Sequence, residues 1–563
     1  MGKALRAIFA ACVALFALTC AASAQPWKVF KDHWSQEDEE GYSRFVQAIG
    51  ESGCSTPDDC FESHANPYAS SDPPGIRLHA DCADLPYLLR AYYAWKNGLP
   101  FSWATAVAPR GRGGGDIRFN TTGNRVVGRS SVIGRSGGTN GPSILYAIRD
   151  QISSASYRVA HTFDKGGDVS DFYSPKIARG SIRPGTVIYD INGHVTLVYK
   201  VTEDGRIHYM DSHPDNSLTR SMFGGQFARD DPALGSGFKN FRPFQLVGAH
   251  QAGDGSLVGG RIVFAENEQI PDFSAEQYYG NVPGFDSDWK TGKFRNGKSE
   301  MNFYDYVRFK LADPNFAFNP VNELRESMRS ICGDLRDRLM SVYLAQLAGV
   351  HRKDHPGRLP DNIYGTNSME WEVYSTPSRD ARLKTRFVEL RNNMARLIKA
   401  FENRDPNVRY TGANLKADLL AAFQEQSQKC GVNYRNSDGK VLALSFEEVM
   451  KRLYRLSFDP YHCVELRWGA SLKEELASCD DSPLKLRWYE AEQRLRNQID
   501  RTYGTPMGFT LDDLRAGKRG SGRDDAPDVD VLAVIKGMSG TVVAEGDDED
   551  EKPRRRGRNR DSR

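Results

Sequence analysis

The sequence predicts an α+β N-terminal half, then an all-α helical half, then a disordered charged tail. Three observations carry this. Between Gln25 and about residue 265, short β-like runs mix with few long helical patterns among frequent Gly and Pro. From about Asn302 the apolar period changes from 2 to 3.6. After about Arg515 the periodicity fades into an acidic run, Asp547 to Glu551, followed by a basic tip with Arg554, Arg555, Arg556, Arg558 and Arg560. A chain of 563 residues also exceeds what one hydrophobic core normally organises.

Residues 1–24 read as a secretory signal. Lys3 and Arg6 precede an apolar run from Ile8 to Leu18, and Ala22-Ser23-Ala24 is a small-residue cleavage site. No later stretch approaches the ~20 apolar residues of a bilayer span. The expectation is an exported protein, periplasmic or extracellular, with no transmembrane segment.

Within 25–265, Arg110 to Gly138 is rich in Gly, Arg and Ser and reads as a long loop. It lacks the strand-glycine-helix context of a phosphate cradle. Residues 266–301 read as a linker. In the helical half, 302–515, Val321, Leu324, Met328, Ile331, Leu335, Leu339 and Val342 recur at steps of three and four after Asn319-Pro320. Leu383, Phe387, Leu390, Met394, Leu397 and Phe401 repeat the pattern. Ser445 with Glu448 predicts a capping box, and Ser482-Pro483 opens a helix expected to run to Gly504. These stripes read as core and gather no metal-ligand spacing. The tail, 516–563, reads as disordered. Its basic tip suits contact with anionic envelope polymers, and a solvated tail without a partner is the plainer reading.

The 75 basic and 73 acidic residues nearly cancel, to +2. That argues against a nucleic-acid partner, which requires a clearly basic face. Of nine cysteines, Cys12 and Cys20 leave with the signal. In an oxidising compartment Cys54/Cys60, Cys463/Cys479 and Cys332/Cys430 can pair, which leaves Cys82 over. By count alone, a leftover cysteine reads first as a buried inert thiol.

Chemistry concentrates around that residue. Asp81-Cys82-Ala83-Asp84-Leu85 precedes a helical pattern in Leu85, Leu88, Leu89, Tyr92 and Trp95. Cys82 is therefore placed at or just before a helix N-terminus, whose unpaired amides favour a thiolate. Pro86 requires the first turn to be distorted or to start later. Downstream, Thr186 to Tyr189, a turn at Asn192-Gly193, and the alternation from His194 to Val201 predict strands. A two-residue Asp204-Gly205 turn would return the chain as Arg206 to Asp211, pairing Glu203 with Arg206. His194 then shares a face with Tyr209, Asp211 and His213, whereas His208 points away. Strict register leaves Asp211 several residues from His194, so a bulge or strong twist must close the gap. Cysteine as nucleophile, His194 as base and an acid to hold the ring form a familiar catalytic set. No metal site is expected from His208, Asp211, His213 and Asp215.

The order Cys82, His194, Asp211 resembles the papain-like fold of NlpC-type and CHAP cell-wall hydrolases, over about Asn66 to His213. Pro67-Tyr68 upstream of Asp81-Cys82-Ala83-Asp84-Leu85 resembles the Pro-Tyr and Asp-Cys-Ser-Gly-Leu pair of the NlpC group, with Ala83-Asp84 in place of Ser-Gly. Pro184 to Tyr189 followed by Gly193-His194-Val195 resembles that group's strand into its histidine, and the 17-residue step from His194 to Asp211 resembles the CHAP spacing. The resemblance implies a papain-like domain over 25–265, with Cys82 as nucleophile, His194 as base and Asp211 as orienting group. It implies Tyr68 as a substrate or oxyanion contact, with His213 as substitute orienter and substrate neighbour. No cofactor is implied. The substrate implied is a cell-wall peptide or envelope protein amide, most simply a peptidoglycan peptide. A transglutaminase-like acyl transferase and a non-catalytic envelope scaffold remain the alternatives.

Overall fold

The computed structural model describes residues 26–111, 115–162, 169–365, 369–374, 377–500 and 504–538. The signal segment and the charged runs of the tail lie outside these residues. In the N-terminal half, helix α1 (Gln36–Glu51) starts at a capping box in which Ser35 and Asp38 satisfy each other's backbone amides. Helix α2 spans Asp84–Lys96. A hairpin follows, β1 (Phe101–Pro109) paired with β2 (Asn124–Val132). Strands β3 (Phe172–Tyr173), β4 (Val187–Asp190), β5 (His194–Val201), β6 (Ile207–Ser212), β7 (Leu218–Met222) and β8 (Gly237–Phe241) build one antiparallel sheet in the order β3-β8-β4-β5-β6-β7.

Alternation decides what each face of that sheet buries. Val187, Tyr189, Val195, Leu197 and Met210 join a core with Tyr42, Phe45, Val46 and Ile49 of α1 and Leu85, Leu88, Leu89 and Tyr92 of α2. Ile188, Val198, Ile207, Tyr209 and Phe238 face the other way, onto Phe294, Phe303, Tyr306, Val307 and Leu311. With both faces covered, β5 is buried on either side, and each large apolar side chain contributes ~1.5–3 kcal/mol.

Several expectations need correction. The stretch read as a long loop contains β2, because Val126 and Val132 are buried against β1 while Arg125 and Val127 face solvent and Gly128 to Ser131 are half-buried. The supposed linker and the first helix of the helical half, Phe303–Leu311, cover the sheet's second face. The sheet's core therefore runs past residue 301 to Leu311.

The second half is built on α3 (Pro320–Leu347), capped by Asn319, with α4 (Pro377–Glu402) and α5 (Leu415–Lys429). It is not purely helical, since Val432–Arg435 and Val441–Leu444 pair as a hairpin. The Ser482-capped helix ends at Ala491, followed by a short turn of helix at Gln493–Asn497, rather than reaching Gly504. Ser445 accepts the Glu448 amide at 3.1 Å, one half of the expected box. Order also persists beyond 515. Helix α6 (Val531–Lys536) seats Val531, Ile535 and Met538 in the core formed by α3, α4 and α5. With Val529, Leu532 and Val534 packed beside them, these apolar residues dock a segment whose composition reads as tail.

Disulfides join Cys54 to Cys60, Cys332 to Cys430 and Cys463 to Cys479. Among the described residues, no helix is long and apolar enough to cross a membrane.

Candidate active site

Helix α2 begins at Asp84 with Ala83 as its N-cap, so Pro86 falls in the first turn, where its missing amide costs no helical bond. Cys82 sits just upstream and is the one free cysteine among the described residues. The Asp81 carboxylate accepts the amides of Ala83 at 2.8 Å and Asp84 at 3.1 Å, so the helix start is capped by Asp81 rather than by the sulfur. The Tyr157 hydroxyl donates to the Ala83 carbonyl at 2.6 Å and fixes the turn from below.

This changes the electrostatics expected of a cysteine at a helix start. Burial pushes the Cys82 thiol well up and the Asp81 charge adds to it, with Asp211 and Asp84 acting in the same direction. The Val195 main-chain amide, donated toward the sulfur, opposes them. The resting Cys82 is thus a neutral thiol, and the thiolate expected from helix position alone is corrected. Asp84 is itself pushed up to about 8, by burial first and then by Asp81.

The β5–β6 hairpin brings the imidazole and the carboxylate together through two departures from strict register. Its turn is a three-residue loop, not the two-residue turn expected. The Thr202 amide donates to the Arg206 carbonyl and the Gly205 amide to the Thr202 carbonyl, both at 2.9 Å, with Gly205 at φ +77°. A second slip lies between Val198 and Lys200, after which Val198 pairs with Tyr209 and Leu197 with Met210. Continuing that register places Asp211 across from Thr196, two residues from His194, where strict pairing would set it opposite Val198. Two single-residue slips restore the expected faces and shorten the distance between the pair.

The outcome is a close contact of 2.5 Å between His194 Nε2 and Asp211 Oδ2. Asp211 is 1% exposed. Its second oxygen accepts the Thr219 hydroxyl. Burial alone would raise its pKa, but His213, His194 and Arg382 hold the carboxyl far below the usual range. An ionised acceptor at that distance fixes the proton on Nε2. His213 lies 3.6 Å from Asp211 and 3.0 Å from the Thr219 hydroxyl, its ring nearly parallel to that of His194. Burial pulls His213 down, so this second ring stays neutral near pH 7.

Cys82, His194 and His213 line one cavity of about 170 Å³. Its remaining wall includes residues that sequence reasoning missed. Arg379 and Arg382 come from the first turns of α4, and Tyr364 stacks on Phe119 of the N-terminal half at 5.4 Å between centroids. Arg382 Nη1 is 3.2 Å from His194 Nε2. An Arg at the start of a helix 188 residues away carries no local signal for this site. Tyr68 is not brought here. Its ring packs on Phe45, Tyr92 and Tyr93, and its hydroxyl bonds with the Asn97 side chain, so the substrate contact expected of it is replaced by a core role.

No protein-family model, curated protein or solved structure matches the chain.

Proposed function

We propose that the protein is an exported cysteine hydrolase of amide bonds, with a peptidoglycan peptide as substrate and a papain-like arrangement of Cys82 and the β5–β6 hairpin. The observation that carries this is one cavity holding the single unpaired cysteine of the described chain and an imidazole whose outer nitrogen is committed to a buried carboxylate. In this reading His194 Nδ1 takes the thiol proton as the sulfur attacks the carbonyl carbon. The C–N bond then breaks, the proton passes to the leaving amine, and a thioester remains. Water, deprotonated by the same nitrogen, releases the acid and returns the thiol. Arg118, Arg379 and Arg382 line the cavity with Asp81 and Glu372, a polar wall suited to a peptide bearing free carboxylate and amine groups. The three disulfides support a site of action outside the reducing cytoplasm.

The test compares muropeptide release by the mature protein and by a Cys82→Ser variant of equal stability. Release by the first and its loss in the second is expected, whereas equal, nonzero release from both would overturn the mechanism. Incorporation of an added amine without peptide cleavage would instead assign the same atoms to acyl transfer.

A further inference from the structure

In the helical half, four polar side chains from three distant stretches converge: His355, Asp459, His462 and Glu492. His355 Nε2 is 2.7 Å from Asp459 Oδ2. His462 Nε2 is 3.5 Å from that same oxygen and 3.6 Å from Glu492 Oε2. All four side chains are fully withdrawn from solvent. The donor atoms of His355, Asp459 and Glu492 lie within 4.8 Å of one another. Donors held at ~2.0–2.1 Å around a tetrahedral ion are separated by roughly 3.3 Å, so little movement would close them on one.

The outer atoms of these groups are already committed, which leaves the inner ones to face each other. His355 Nδ1 meets the Pro356 carbonyl at 2.6 Å. His462 Nδ1 meets Asp481 Oδ2 at 3.0 Å. Asp459 Oδ1 accepts the Tyr461 amide at 2.7 Å. Histidines that bind metal through Nε2 characteristically give their other nitrogen to a carbonyl or a carboxylate in this way. His355 Nε2 and Asp459 Oδ2 satisfy each other, but the other two inner groups are poorly served without an ion. His462 Nε2 and both carboxylate oxygens of Glu492 are buried with no hydrogen-bond partner, and leaving a buried carboxylate in that condition is costly. The Arg496 guanidinium stands 3.8 Å from Glu492 Oε2. Cys463 and Cys479 lie close by, but their sulfurs are bonded to each other.

We propose that His355, His462, Asp459 and Glu492 bind one divalent transition-metal ion, Zn²⁺ by the mixed nitrogen and oxygen donor set. Four protein donors and complete burial describe a closed structural site rather than a catalytic one with an open position. The ion would tie the stretch that begins at His355 and leads to Tyr364, on the wall of the Cys82 cavity, to the Asp459 and Glu492 segments. Asp481 is a positioning residue, acting through His462.

Zinc content of the mature Cys82→Ser protein after exhaustive dialysis tests this, because the thiol pocket then contributes no sulfur ligand. One zinc per chain is expected. Glu492→Gln and His462→Asn should each abolish retention, and Asp481→Asn should weaken affinity by about 10–100-fold. Should those variants fail to fold, the same protein stripped by chelator and titrated with Co²⁺ gives a second readout. Visible absorption of tetrahedral cobalt, displaced by zinc at one equivalent, is expected. A folded protein that holds no stoichiometric metal, shows no such absorption and keeps its melting temperature in chelator would reduce the cluster to an imidazolium–carboxylate network and overturn the proposal.

Discussion

Arg382 Nη1 stands 3.2 Å from His194 Nε2 and 3.8 Å from Asp211 Oδ2, so the helical half reaches directly into the histidine–aspartate pair. Because Nε2 gives its proton to Asp211, the guanidinium meets that nitrogen as a neighbouring charge, and its attraction is to the carboxylate. Arg382→Met should lower stability by about 1–3 kcal/mol, the cost of removing a charged partner from a buried acceptor. Arg382→Lys should recover part of the loss, since the charge remains but the planar fork does not. Urea denaturation of both variants measures this, and a Met variant as stable as the wild type would show that the contact contributes nothing.

Asp211 carries a prediction for acid stability. Its folded pKa lies below the unfolded value, so the stabilisation it supplies is present above about pH 4 and drains away as the pH falls toward the folded value. Wild-type protein should lose stability between about pH 4 and pH 2 more steeply than Asp211→Asn does. On turnover, Asp211→Ala should lower kcat by up to about 10⁴-fold, the weight of a carboxylate that holds a catalytic imidazole in its working tautomer. Parallel acid titration curves for the two proteins would contradict the first expectation.

The Cys82 thiol should alkylate slowly at neutral pH. Burial and Asp81 both raise its pKa, so the iodoacetamide rate should climb through the alkaline range instead of levelling near neutrality. Asp81→Asn removes the largest of the three carboxylate effects on the thiol while keeping an oxygen to cap Ala83 and Asp84. That variant should react faster than wild type at every pH below the thiol's own titration. A plateau in wild-type labelling by pH 7 would refute the neutral-thiol ground state.

For Asp84 the sign reverses. Its folded pKa is raised to about 8, so the cost to stability is absent below the unfolded value, grows as the pH rises from there to about 8, and is complete above it. Its Oδ1 is also buried without a hydrogen-bond partner. Asp84→Asn should therefore be close to neutral near pH 4 and progressively stabilising toward pH 8, then constant. Melting temperatures of both proteins across that range decide it, and a pH-independent difference would count against the assignment.

The legible parts of this protein were those set by neighbouring residues. Apolar alternation in Val195, Leu197 and their partners predicted β5 and the face on which His194, Asp211 and His213 lie. The three- and four-residue steps after Asn319-Pro320 predicted α3. Counting and spacing allowed the pairing of Cys54 with Cys60, Cys332 with Cys430 and Cys463 with Cys479, with Cys82 left over, and the structure has that pairing. Strand β2 escaped notice because its Gly, Arg and Ser content hid two buried valines, and α6 because six residues in a charged stretch give too short a window for periodicity.

What the sequence by itself determined is the order of strands and helices and the placing of a cysteine and a histidine at the ends of two of them, since alternation, caps and turn residues act over a few positions. Only the tertiary structure decided the site's electrostatics. The two register slips that carry Asp211 to His194, the arrival of Arg382 and the raised Cys82 thiol depend on burial and on charges contributed by segments far apart in the chain. Such through-space forces fall off with distance in three dimensions, and separation along the sequence bears no fixed relation to that distance.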